Sequence, residues 1–204
     1  MFTSKAKATT LGLLMGLLAF VPAAQAYGHY SPQLKKHHRS IFTASRSKHE
    51  VLPPFAYIQF CVHHRSSCAN TRGHLAMAGH NTVKMTNRLS HQLASVNARV
   101  NSRMIARADR GGDKWSVGGR YGDCEDYAMT KRAMLIAAGW PSSALSLTVV
   151  KTSWGEGHAI LSVHTSAGTM VLDNLSHSVK SLRQVPYHLI SMQGPSALDW
   201  QTPY

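Results

Sequence analysis

The chain of 204 residues carries 22 Lys and Arg against 9 Asp and Glu, a formal charge of +13. That length suits one domain with a hydrophobic core, and after the N-terminal segment no stretch is long and apolar enough to cross a hydrocarbon layer of about 30 Å. The basic balance favours acidic surfaces such as lipid headgroups, polysaccharide or acidic proteins. A nucleic-acid partner is disfavoured because the start of the chain reads as an export signal.

Lys5 and Lys7 precede an apolar run from Leu11 to Val21, and Ala24-Gln25-Ala26 offers a small-residue cleavage site. This order predicts a signal peptide over residues 1–26 and a periplasmic location for the rest. Residues 27–50 are rich in Lys, Arg, His and Ser, with Lys35, Lys36, His37, His38 and Arg39 together. A flexible basic arm able to meet an acidic surface is expected there. Pro53 and Pro54 punctuate the start of the folded domain, residues 51–204. Three cysteines in an oxidising compartment form an informative set: Cys61 and Cys68 are close enough to close a small disulfide loop, which leaves Cys124 unpaired.

From Val83 to Ala108 the apolar residues Leu89, Leu93, Val96, Val100 and Met104 recur at helical spacing, predicting one or two amphipathic helices. Residues 109–120 are glycine-rich and read as a loop. A second helix is expected from about Cys124 to Ala138, with Gly139 at its C′ position and Pro141 preventing continuation. Strands are expected at Leu145–Val150, Ala159–Thr165 and Thr169–Leu172, with Ser166-Ala167-Gly168 as the last turn. Leu182–Ile190 reads as a further strand and Pro195–Tyr204 as an irregular tail. Helices before strands imply an α+β domain rather than a βαβ series.

The segment Tyr121-Gly122-Asp123-Cys124-Glu125-Asp126-Tyr127 carries the chemistry. Asp123 suits an N-cap, which puts Cys124 in the first helical turn, where the dipole and free N–H groups favour a thiolate. The carboxylates of Asp123, Glu125 and Asp126 oppose that, so an imidazolium or a bound cation must offset them. His158, after the glycines of Gly155-Glu156-Gly157, is the candidate base, and Asp173, closing the next strand, is its candidate orienter. A two- or four-residue hairpin loop centred on Thr165 and Ser166 would set His158 directly opposite Asp173, whereas a three-residue loop would change the face. Asn174 reads as a turn residue.

Gly122-Asp123-Cys124-Glu125-Asp126-Tyr127-Ala128, Gly157-His158-Ala159 and Leu172-Asp173-Asn174-Leu175, in that order, resemble the bacterial transglutaminase-like cysteine peptidases. This family includes LapG-like periplasmic proteases that release biofilm adhesins. The resemblance spans roughly Pro54 to Trp200. It implies a papain-like core, with the nucleophile at a helix N-terminus packed on an antiparallel sheet. Cys124 would be the nucleophile, His158 the base and Asp173 the orienter of a cysteine peptidase. Asp123, Glu125 and Asp126 would help to bind Ca²⁺, which takes six to eight oxygen ligands. The implied partners are a protein substrate such as a surface adhesin, and a regulatory membrane protein. Transglutaminase or amidase chemistry on the same triad, or a calcium-responsive binding module without catalysis, are the alternatives. The stretch between Trp115 and Gly122 looks shorter than in adhesin-cleaving members, and the proline expected between Cys61 and Cys68 is absent.

Overall fold

The computed structural model describes residues 50–76 and 81–202. The expected signal peptide and nearly all of the basic arm lie outside the described residues. Elements run β1 (Glu50–Val51), α1 (Phe55–His63), α2 (Arg65–Cys68), α3 (Asn87–Arg103), β2 (Ile105–Ala106), β3 (Tyr121–Gly122) and α4 (Cys124–Ala137). Then follow β4 (Leu145–Lys151), β5 (Gly157–Thr165), β6 (Gly168–Asp173), β7 (Ser176–Ser181), β8 (His188–Gln193) and β9 (Trp200–Gln201). Seven strands form one antiparallel sheet in the order β1-β9-β8-β4-β5-β6-β7, while β2 and β3 pair in parallel apart from it. The class is α+β, with α4 packed against β5 near the middle of the sheet.

Local chemistry accounts for the helices. Thr86 caps α3 by accepting from the Leu89 N–H at 3.3 Å, and Leu89, Leu93, Val96 and Val100 put a single apolar stripe into the core. Burying each such side chain contributes about 1.5–3 kcal/mol. One helix forms rather than two, and Ile105 leaves it for β2. Helix α4 ends as its sequence requires: Gly139 has φ +93°, its N–H reaches Ile136 O at 2.9 Å, and Trp140 N–H reaches Leu135 O at 3.0 Å. Trp140 is then fully buried beside Leu135.

Two sequence expectations need correction. Leu182–Ile190 is not one strand: residues 182–184 form a 3₁₀ turn between β7 and β8. Strand β7, Ser-His-Ser-Val-Lys-Ser, is polar because it is the sheet edge and needs no apolar face of its own. The tail is not wholly irregular either. Trp200 in β9 packs its ring 5.7 Å from that of Tyr57 and is 1 % exposed.

Candidate active site

Cys124 opens α4, and Asp123 stands at the N-cap position with extended backbone. Its carboxylate does not cap the helix. Oδ2 instead accepts from the Asp109 N–H at 3.4 Å, while Oδ1 is buried with no hydrogen-bond partner. The Cys124 thiol donates to Glu125 Oε2 at 3.3 Å. Burial first, then the Glu125 charge, push this thiol up to about 12. Against them, the backbone N–H of Ala159 lies near enough to the sulfur to favour its anionic form. That contact sets the start of α4 beside β5 one residue past His158.

His158 is delivered by a locked loop. Thr152 N–H donates to Glu156 O at 2.8 Å, and Glu156 N–H donates to Thr152 Oγ1 at 3.0 Å. Gly155 turns the chain with φ +95°. The hairpin that follows has a two-residue loop, Ser166-Ala167, with Thr165 paired to Gly168. It is centred one residue later than expected, so Asp173 lies opposite Ile160 in the register rather than opposite His158. The shift is two residues, which preserves the face, and the side chains meet diagonally across the pair. His158 Nε2 lies 2.9 Å from Asp173 Oδ1, and both residues are buried. Nδ1 is thereby the ring nitrogen left for a sulfur or a substrate.

Asp173 is fully served. Leu175 N–H donates to Oδ1 at 2.9 Å, Tyr187 O–H donates to Oδ2 at 2.6 Å, and Asn101 Nδ2 holds its backbone carbonyl at 2.9 Å. Burial raises its pKa, but the hydrogen bonds from His158, Tyr187 and Leu175 outweigh burial and hold it below the usual carboxylate range. Asn174 sits in the β6–β7 turn, as its sequence context suggests.

The acidic residues divide differently from expectation. Asp123 and Glu125 gather with Asp109, one oxygen of each lying within 4.8 Å of the others. Asp126 is not in this group: its Oδ1 accepts from Ser116 N–H at 2.6 Å and Ser116 Oγ at 2.9 Å. Its other oxygen folds against Gly122, where an added Cβ would stand 2.5 Å away. Asp113 adjoins the group through a hydrogen bond with Glu125 and holds the Trp115 indole at 3.3 Å. Burial, and then the bond shared with Asp123, push the Glu125 carboxyl up to about 9. Among the described residues no Lys or Arg forms an ion pair with these acids, although the chain is strongly basic. An all-carboxylate donor set with a buried, unpaired Asp123 oxygen fits a hard divalent cation.

Sequence reasoning did not find Asp109, Asp113, Tyr187 or Asn101. A signal existed for the first two, because five of the nine acidic residues fall between Asp109 and Asp126. Tyr187 and Asn101 carried none.

A thiol at a helix start, beside the strand that carries a buried imidazole–carboxylate pair, accords with an α+β fold of the transglutaminase-like class. The family model for bacterial transglutaminase-like cysteine proteinases matches residues 47–202, and the chain belongs to that family. No curated protein matches it. Among solved structures, calcium-bound Legionella pneumophila LapG is 25% identical, with 51% of this chain and 64% of that one covered and a TM-score of 0.46. EGTA-treated LapG from the same organism is 21% identical, with 57% and 68% covered and a TM-score of 0.48. The chain thus spans just under two thirds of the length of the first of these proteins.

Proposed function

We propose that the protein is an exported cysteine peptidase acting through Cys124, His158 and Asp173. The observation that carries this reading is the buried His158–Asp173 pair at 2.9 Å, on the strand whose next N–H faces the Cys124 sulfur. His158 Nδ1 takes the thiol proton, and the sulfur attacks a peptide carbonyl to form a tetrahedral oxyanion. The N–H groups at the start of α4, including that of Cys124, are suited to receive that charge. The C–N bond then breaks, with His158 returning its proton to the leaving amine. Water next hydrolyses the thioester and His158 again moves the proton. Asp173 keeps the ring oriented and stabilises its cationic form.

Ca²⁺ is the proposed ion for Asp109, Asp123 and Glu125, with Asp113 beside them. When bound, it would neutralise the negative charge crowded around the thiol. The family resemblance supports an exported or surface-anchored protein, of the adhesin kind, as substrate. A location outside the cytoplasm is supported by the Cys61–Cys68 disulfide, with Cα atoms 5.6 Å apart, which leaves Cys124 the free cysteine.

Iodoacetamide at neutral pH tests the proposal directly. With Ca²⁺ present to offset the neighbouring carboxylates, Cys124 should be alkylated faster than free cysteine, and His158→Ala should remove the advantage. Comparing surface-protein fragments from cells with intact Cys124 and with Cys124→Ala then identifies the substrate. A thiol as slow as free cysteine, with and without Ca²⁺, together with identical fragment patterns, would favour a non-catalytic binding module.

A further inference from the structure

Between α3 and α4 lies a cavity of about 420 Å³ that includes none of the triad residues. Its floor is apolar: Val100 and Met104 come from α3 and its end, Ala133 and Met134 from α4, and Val117 from the loop before β3. Gly118 pins that loop, its N–H donating to Thr130 Oγ1 at 2.9 Å, and Val117 is left 41 % exposed. The two methionines give the floor side chains that can re-pack around a guest. Arg99 and Arg103, exposed and one turn apart on α3, line the same cavity. Along the chain, the β2–β3 ladder joins this lining to the nucleophile. Ile105 follows Met104, Arg120 follows Gly119, and the Ile105 N–H donates to Arg120 O at 2.8 Å. On the ladder the Arg107 guanidinium stacks 4.0 Å from the centre of the exposed Tyr121 ring, with that of Arg120 5.7 Å away. Strand β3 ends at Gly122, two residues before Cys124. Among the described residues none of these four arginines forms an ion pair. A guanidinium stacked on a ring keeps its in-plane N–H groups free for a carboxylate.

We propose, resting on the peptidase reading given above, that this groove is an exosite for an acidic segment of the protein substrate. An apolar side chain of that segment sits on the α3–α4 floor, and its carboxylates meet Arg99 and Arg103. The charge sets the sign of the guest, because the groove offers cations and no described acid lines it. The same charge disfavours the chain's own Lys- and Arg-rich residues 27–50 as the occupant. Shape tells a polypeptide from a membrane: a hollow between two helices and a loop admits a side chain, whereas a flat lipid surface meets only its rim. The volume falls in the range of about 300–1,000 Å³ usual for ligand pockets. Distance ties the groove to the cut. Its α4 residues, Thr130 to Ala137, come 6 to 13 residues after Cys124, which at roughly 1.5 Å per residue is about 9–20 Å along the helix. An extended peptide covers that span in about three to six residues. Such a contact holds ground state and transition state alike, so it acts on KM and on the choice of substrate and takes no part in the chemical steps.

The experiment incubates the full chain and Ca²⁺ with a chymotryptic peptide library from a whole-cell extract, and reads the cuts by mass spectrometry beside a Cys124→Ala control. Asp and Glu should be enriched about threefold or more at positions about three to six residues from the cut. The enrichment should fall away in the double variant Arg99→Gln, Arg103→Gln and in high salt. Arg99→Glu with Arg103→Glu should turn the preference towards Lys and Arg. Cuts that need Cys124 but show no acidic enrichment, or an enrichment that survives both double variants, overturn the exosite and spare the peptidase reading. If the double variants do not fold, the salt series on the unaltered protein decides, and an enrichment undiminished by high salt overturns the proposal. Vesicles of phosphatidylserine and phosphatidylcholine test the rival guest. Vesicle binding that is lost in Arg99→Gln, Arg103→Gln, without acidic enrichment in the cuts, assigns the arginines to a membrane surface and overturns the exosite. Absence of any Cys124-dependent cut sinks the peptidase reading itself, and the exosite with it.

Discussion

Asp173 on β6 and Asp123 at the start of α4 are both partly or wholly buried carboxylates, and the protein treats them in opposite ways. Asp173 has a donor for each oxygen and is held ionised in a buried place. Asp123 forgoes the helix cap its position offers, keeps one oxygen buried and unpaired, and stands against Glu125 and Asp109. The first carboxylate is complete as the chain folds. The second belongs to a group that repels itself and with which no described Lys or Arg forms an ion pair. On the proposed reading, a fully bonded carboxylate and a crowded acidic cluster separate the part of the site that would work by geometry from the part that would call on an ion.

The largest expected effect breaks the geometric half. His158→Ala should slow alkylation of Cys124 at neutral pH by about 10²–10⁴-fold, the usual worth of a positioned base. Circular dichroism should show the fold unchanged. A loss below tenfold would mean that the sulfur does not depend on the ring. The ionic half is tested next, by calorimetry with Ca²⁺ alone. Asp109→Asn or Asp123→Asn should weaken binding on the order of 10²-fold through loss of a charged oxygen ligand, while Asp126→Asn should change affinity far less. Equal weakening by Asp126→Asn would return that residue to the ligand set.

A third prediction concerns stability and carries a definite sign. The Lys131 pKa falls from an ordinary 10.5 to about 7 because burial penalises its charge. An amine depressed in the folded state is destabilising while both folded and unfolded forms are protonated, below about pH 7. The penalty then shrinks as pH rises towards the unfolded value, near 10.4. Lys131→Met should therefore raise the unfolding free energy by about 1–4 kcal/mol at pH 6, and by much less at pH 10. Denaturant midpoints at the two pH values measure this. A variant that is less stable at pH 6 would show that the amine is already well paired.

How much of this was legible in the sequence follows from what each feature depends on. Cys124 and the C-terminal stop at Gly139 are local, set by residues within one helix, and both could be read from the chain. His158 and Asp173 needed only the parity of one hairpin, and a loop centre misplaced by one residue left them on the same face. The acidic cluster was harder because Asp126, next to Glu125 in sequence, parts from Asp123 and Glu125 in space. Asp126, one turn into α4, points back at Ser116 and Gly122, and Asp109 arrives from a loop that local propensity does not place. Strand β7 was hidden because an edge strand owes the core little, so its polar composition carries no period. Lys131 had a faint signal, since it falls seven residues after Cys124 and four after Tyr127, on the face a helix turns inward.

The smallest effect sharpens the comparison most, because it makes Asp173 resemble its unsatisfied counterpart by a single atom. Tyr187→Phe removes the hydroxyl that donates to Asp173 Oδ2 at 2.6 Å and keeps the ring that packs edge-on to His158, 5.7 Å between centroids. A hydrogen bond to a charged group contributes about 2 kcal/mol, so the variant should lose roughly that much stability at pH 7. The folded Asp173 pKa is depressed, so the stability it supplies is fully present above the unfolded carboxylate value of about 3.9 and is lost as pH falls through the lower folded value. Removing the hydroxyl raises that folded value, so the gap between parent and variant should be full at pH 7 and close as pH drops below both. A gap that persists undiminished at pH 2 would mean that the ring, and not the bond to the carboxylate, had been disturbed, and Asp173 would then be fixed by His158 and Leu175 alone.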